Sequence, residues 1–211
     1  MTSFTRYYKN RELIDISMSE MNILITDKGN QNLIAEYIYE RLYNRFLKIF
    51  DYRSNDTAIY RKKNIEVSKN IFSEEYKNGF LMMASCSLLI ETFSSFLEGQ
   101  NQTPKGMDVE MFVKVFEKAK QYGNDLEKFI NEPIYKNIRC AILHQGETNG
   151  NFKISRTGDL LKDKTINANR FFIELKKLLN SYKEELISAE WDSKVWDACR
   201  IKIRHIINNA K

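Results

Sequence analysis

The chain has 211 residues, with 33 Lys and Arg against 28 Asp and Glu, a formal charge of +5. A hydrophobic share of 43% is enough for one packed core and excludes a disordered chain. Only 2 Pro and 8 Gly exclude a turn-rich all-β fold.

In chain order, residues 11–26 read as an amphipathic helix broken at Gly29-Asn30. Over 31–52, Ile34, Ile38, Leu42, Phe46 and Leu47 form one apolar stripe flanked by Tyr37, Tyr39 and Tyr43. Residues 53–70 are polar and basic and read as a loop or short helix. A helix over 72–98, ended by Gly99, is apolar nearly all round in its middle and is expected to be the central one. Its apolar part, Phe80 to Ile90, is short of the ~20 residues a membrane span needs.

Gln100 to Gly106 is a connection, and Asp108 caps a helix of about 108–121. After the Gly123-Asn124 break a short helix runs to Ile130. Pro133 opens a helix over 133–145 that Gly146 ends. Residues 150–166 read as a small β-hairpin or ordered loop, the hairpin placed near 151–162, and helices over 167–187 and 192–209 close the chain. The expectation is a single all-α domain of about five to seven helices. Residues 1–68 would form a helical elaboration, 70–187 the core bundle and 190–211 a terminal helix.

Three scattered cysteines, Cys86, Cys140 and Cys199, fit a reducing compartment better than a disulfide framework or a zinc site. Met1 to Asn10 lacks the apolar run of a signal peptide, so a cytoplasmic protein with no membrane partner is expected. Met82, Met83 and Cys86 read as core filler, and Glu184-Glu185 as solvated charges. Trp191 and Trp196, five apart, would not share a face.

With two histidines, candidate sites are few. One is Arg139-Cys140-Ala141-Ile142-Leu143-His144, an Arg-x4-His spacing inside the 133–145 helix. On a wheel of ~100° per residue, Ile134, Ile138, Ala141, Ile142 and Gln145 make a core stripe. Arg139 and His144 then flank a second, partly apolar face carrying Lys136, Cys140 and Leu143, a face fit for a partner chain. Arg200 and His205 repeat the spacing, so spacing alone does not decide.

Taken with Gln145-Gly146-Glu147-Thr148, the run Asn151-Phe152-Lys153-Ile154, Ile166-Asn167 and the upstream Leu88-Leu89-Ile90-Glu91, the segment resembles the HEPN superfamily over about 70–187. The resemblance implies a helical bundle that pairs as a homodimer across the 133–146 helix, with the two Arg-x4-His segments sharing a cleft. It also implies a metal-independent endoribonuclease in a toxin or phage-defence setting, with Arg139 and His144 as the catalytic pair and no cofactor. Cys140 departs from the polar residue, often Asn, that follows the Arg in active members. Glu91 corresponds loosely to a polar position on the buried helix. Gln145 and Glu147 are possible supporting residues.

Histidine moves protons near neutral pH, and Arg is a permanent planar donor to phosphate oxygens. Lys136, Lys153, Arg156 and the basic cluster at 61–63 are candidate phosphate contacts, and Tyr135 a candidate base-stacking platform. A cognate antitoxin is a possible partner. Two other readings stand beside the nuclease. One is a non-catalytic nucleotide- or RNA-binding or dimeric scaffold module. The other is a plain helical interaction protein in which Arg139 pairs with Glu91 or Glu147 and His144 only caps its helix.

Overall fold

The computed structural model describes residues 2–51 and 78–210. The expectations for 53–70, 61–63 and the first turns of the 72–98 helix lie outside the described residues.

The chain starts as a β-hairpin, where its sequence suggests helix from residue 11. β1 (Ser3–Lys9) pairs antiparallel with β2 (Glu12–Ser17), Tyr8 opposite Leu13 and Arg6 opposite Asp15. Asn10 and Arg11 join them with φ of 52° and 70°, the positive pair that a tight two-residue hairpin turn requires. The Arg6–Asp15 ion pair lies on the exposed face, while Phe4, Thr5 and Tyr7 are buried. Helix starts only at Ser17, by a reciprocal cap. The Glu20 amide donates to the Ser17 hydroxyl at 3.1 Å, and the Ser17 amide donates to the Glu20 carboxylate at 2.8 Å. So α1 (Met18–Leu24) is short. The N-terminal part is therefore hairpin plus helix rather than helical throughout.

α2 (Gln31–Leu42) buries Ile34, Ile38 and Leu42 as its spacing predicts, then widens into a π-turn at Tyr43–Leu47. It pins the hairpin through Arg41, whose buried guanidinium donates to the Phe4 carbonyl and sits 4.6 Å over the Phe4 ring. Burial, helped by nearby Arg45, pulls that guanidinium down to about 9.

α3 (Gly79–Glu98) is the central helix. It packs against α4 (Asp108–Gln121), α6 (Ala168–Ser188) and α7 (Lys194–Asn208). Among the described residues it is the one helix long and apolar enough to cross a membrane, with 20 residues and a mean hydropathy of 1.6. Its apolar reach thus exceeds the Phe80–Ile90 stretch, but 61% of it is buried by its neighbours. Met82, Met83 and Cys86 lie in that core, as expected of filler. α4 begins at Asp108 itself, preceded by Met107 with no side-chain cap, so the expected Asp108 cap is not formed.

Three short strands follow the helical run at 134–145. β3 (Lys153–Ser155) runs parallel to β5 (Thr165–Asn167), and β4 (Leu161–Lys162) antiparallel to it, in the order β3-β5-β4. The hairpin is thus β4–β5, turning at Asp163-Lys164 (φ 47° and 60°), and not the 151–162 hairpin expected. In α6, Phe171, Leu175, Leu178, Leu179, Tyr182 and Leu186 face the core. Trp196 is fully buried, with Trp191 packed on it at 4.8 Å between ring centres. Trp191 lies before the helix, so the wheel separation of the two does not apply. Glu185, expected to be solvated, accepts from Tyr122 Oη at 2.5 Å and Lys118 Nζ at 2.7 Å. One continuous cluster of buried side chains runs from Phe4 to Ile207. The described chain is mostly helical, with two small sheets.

Candidate functional site at the Arg139 turn

Residues 134–145 form one helical run with a change of pitch inside it. Tyr135–Cys140 is a π-turn, and α5 (Ala141–Gln145) continues it as ordinary helix. Such single wide turns arise where an extra residue is fitted into a helix, and they are frequent at functional sites. Ile134, Ile138, Ala141 and Ile142 are buried, in line with the wheel, but Gln145 is exposed. Gln145 is the last residue of the run, beside the Gly146 terminator, so it keeps its angular position but has lost the covering neighbour. Gly146 ends the run at φ 71°, its amide donating to the Ile142 carbonyl at 3.0 Å.

Arg139 leaves this turn toward α3. Its Nε lies 2.7 Å from Glu91 Oε1, and its Nη2 donates to Glu91 Oε2 at 3.1 Å. The Nε contact is ionic, since its N–H is not aligned on the carboxylate. The two side chains are 20% and 21% exposed, a partly dried pair. Partial burial works against the Arg139 charge, but the Glu91 carboxylate outweighs it and holds the guanidinium above its ordinary value. Arg139 also sits 5.4 Å from the centre of the Tyr135 ring, and that ring packs edge-on to Phe112 at 5.2 Å. Tyr135 is pushed up to about 12 by burial and then by its contact with Cys140. Tyr135 thus packs under Arg139, and Cys140 faces it from within the same turn.

His144 lies at the end of α5, exposed, and its imidazole makes no hydrogen bond to any described residue. Beside it Leu143 is 40% exposed, and on α3 one turn before Glu91 Leu88 is 38% exposed. The structure thus places Arg139, Glu91, Tyr135 and Cys140 together, with His144 one turn further on at the rim. Glu147, Lys136 and Lys153 are exposed. Arg156, just past the end of β3, is half-buried, its carbonyl accepting from Asn169 at 2.8 Å.

One positioning residue escapes the sequence pattern. The Asn137 carbonyl accepts from the Asn149 amide at 2.9 Å, so the π-turn holds the loop leaving His144. Any residue would supply that carbonyl, so the side chains carry no signal of it. The second Arg-x4-His is differently employed. Arg200 is buried, donating to the Trp191 carbonyl at 2.7 Å and to Asp197 at 2.6 Å, with its charge 4.5 Å over the Trp191 ring. That arrangement is internal packing. Among the described residues no group of three His, Cys, Asp or Glu side chains comes together as a metal-ligand set.

Comparison with protein-family models, with curated proteins and with solved structures finds no match.

Proposed function

We propose that the chain is a metal-independent endoribonuclease of the HEPN type, acting as a homodimer across the 133–146 helix in a toxin or phage-defence setting. One observation carries the reading. Five positions apart on one short helix, Arg139 is fixed by Glu91 while the His144 imidazole has no hydrogen-bond partner among the described residues and faces solvent.

In the proposed reaction His144 takes the proton of a ribose 2′-OH, whose oxygen attacks the adjacent phosphorus. The 5′-oxygen leaves and collects a proton from the second His144 of the dimer. The products are a 2′,3′-cyclic phosphate and a 5′-OH. Glu91 occupies the Nε/Nη2 edge of Arg139, which leaves Nη1 to donate to a phosphate oxygen as negative charge builds on it. The exposed Leu88 and Leu143 beside the pair supply apolar surface for the second copy. Lys136 and Lys153, both exposed, would meet flanking phosphates in this reading.

A second reading is a non-catalytic RNA- or nucleotide-binding or scaffold module. It is favoured by the neutralisation of Arg139 by Glu91 and by Cys140 standing beside Tyr135 in place of a polar residue. Internal engagement of Arg139 is also what a plain helical interaction protein would show.

The test is incubation of the purified protein with total RNA in EDTA. The nuclease reading expects cleavage with cyclic-phosphate ends, reduced about 10²-fold or more by His144→Ala. RNA left intact over pH 5–9, or cleaved equally by that variant, rejects it. RNA affinity without cleavage, unchanged in His144→Ala, selects the second reading.

A further inference from the structure

The N-terminal hairpin has two outer edges, and they are not equivalent. Lys9 and Glu12 flank its two-residue turn, so they form a hydrogen-bonded pair, and such pairs alternate along an antiparallel ladder. Tyr7–Ile14 and Thr5–Ile16 are therefore bonded within the hairpin. Tyr8–Leu13 and Arg6–Asp15 are the non-bonded pairs, whose main-chain amides and carbonyls turn outward.

The β1 edge is guarded. Phe4 is the extra residue of a bulge that interrupts its row, Arg41 donates to the Phe4 carbonyl, and α2 packs against the strand. The β2 edge has no such guard. The main-chain groups of Leu13 and Asp15 that face outward bond to no described residue. Glu12–Ser17 holds no proline and no lysine, the residues that commonly keep an edge strand from pairing. Asp15 is neutralised from β1, where its carboxylate accepts from Arg6 Nε at 2.8 Å and from the Ser3 hydroxyl.

Both faces of β2 are unfinished. On the outer face Leu13, 51% exposed, lies opposite Tyr8, 68% exposed. On the inner face Tyr7 and Thr5 of β1 are buried, yet Ile14 and Ile16 opposite them are only half-buried. The cover of the core stops under β2, and one more strand would complete it.

The strand that fits is β2 itself. With two copies antiparallel about Ile14, the outward groups of Leu13 meet those of Asp15 in the second copy, and the reverse. Ile14 then faces its own copy on the inner side, at the close spacing of a non-bonded pair, and Ile16 lies opposite the stem of Glu12. The register about Asp15 would set two carboxylates face to face, which is unfavourable. The register about Leu13 would draw Arg11 into the ladder, and its φ of 70° is not extended backbone. A two-fold pairing about Ile14 therefore answers every outward group of Leu13 and Asp15 with no like charges opposed. We infer that β2 is a self-association edge, through which the hairpins of two copies join into one continuous antiparallel sheet centred on Ile14.

The edge belongs to the hairpin, whereas the Arg139 turn packs on α3 and α4, so the inference does not rest on the nuclease reading. If both pairings form, copies are linked through two different axes, into tetramers or longer chains.

The experiment is sedimentation velocity of the full chain from about 1 to 200 μM, with amide hydrogen exchange read at Leu13 and Asp15 over the same range. The variants are Leu13→Pro, which removes one outward donor and no hairpin bond, and Leu13→Glu, which sets a carboxylate opposite Asp15 of the second copy. Leu143→Glu, on the 133–146 helix, tests the other axis separately. Reversible association is expected, with protection of the Leu13 and Asp15 amides that rises with concentration. Both Leu13 variants should weaken association about tenfold or more at an unchanged melting temperature, while Leu143→Glu leaves the amide protection as it was. The inference is overturned if the two amides exchange freely at every concentration, which would leave the edge to a different protein. It is equally overturned if they are protected to the same degree at every concentration, since the chain would then cover its own edge. Association unchanged in both folded Leu13 variants would overturn it too.

Discussion

Arg139 Nε and Glu91 Oε1 lie 2.7 Å apart across the junction of the π-turn and the central helix, each side chain about four-fifths buried. Removing one partner strands the other charge in partly dried surroundings. Glu91→Ala is therefore expected to cost about 1–2 kcal/mol in urea unfolding. Adding Arg139→Ala should give back part of that, with a coupling of about 1 kcal/mol in the double-mutant cycle. Arg139→Lys should not fully substitute, because a compact ammonium cannot lie along both carboxylate oxygens as the flat guanidinium does, with Nη2 donating to one and Nε against the other. Additive single effects would show that the pair does not hold the turn to α3.

Gly99 and Gly146 both end helices at positive φ, 65° and 71°, but only Gly99 is crowded. A Cβ on Gly99 would lie 3.0 Å from the Ala198 Cα of α7, a backbone atom that cannot step aside, whereas one on Gly146 meets nothing within 4 Å. Gly146→Ala should thus cost about 1 kcal/mol, for the left-handed backbone alone. Gly99→Ala should cost clearly more, because α3 and α7 must part. Thermal melts of the two variants in parallel make the comparison, and equal losses would contradict the close approach.

The three thiols are unequal. Cys86 and Cys199 are wholly buried, and burial pushes both up, Cys199 to about 12. Cys140 is the partly exposed one. A chromogenic disulfide reagent should titrate one thiol quickly in the native protein and three in urea, the native one being lost in Cys140→Ser. Two fast native thiols would refute the packing of α3 or α7.

Alkali should unfold the protein in a defined window. Burial, ahead of neighbouring charges or the Cys140 contact, raises the Tyr7, Tyr39 and Tyr135 hydroxyls to about 12. An unfolded tyrosine ionises near ~10, so the folded state favours the neutral phenol. That contribution is complete below about pH 10 and disappears as pH rises through about 12. Tyrosinate absorbance should keep climbing past pH 11 while circular dichroism begins to fall. A single transition centred at pH 10 with the fold intact would contradict the burial of these rings.

The helices are legible where one apolar stripe repeats without interruption, as in α2, α4, α6 and α7, and where nearly every side is apolar, as in α3. The hairpin at 3–17 is not. Its alternation is blurred by Thr5 buried next to Phe4 at the bulge. The decisive signals there are the Asn10 turn and the Ser17/Glu20 cap, which starts helix at Met18 rather than at residue 11. The three-strand order is hidden for a different reason. β5 pairs with β3 in parallel, and a parallel partner leaves no local turn to recognise. At the candidate site, Arg139, His144 and Glu91 are legible as residue types in order. The exposure of Gln145 is not, since an angular step puts a residue on a face but does not say where along the helix the covering neighbour stops.

The π-turn also bears on how relatives of this chain should be sought. Because Tyr135–Cys140 fits one more residue than a regular turn would, the count from Pro133 to Arg139 is not a ruler for where the guanidinium points. A cousin with an unbroken α-helix here would need a different number of residues ahead of its arginine to aim it at the same carboxylate on the central helix. The stretch from Ala141 to His144 is regular, so the inserted residue would show as a length difference before the arginine and not after it.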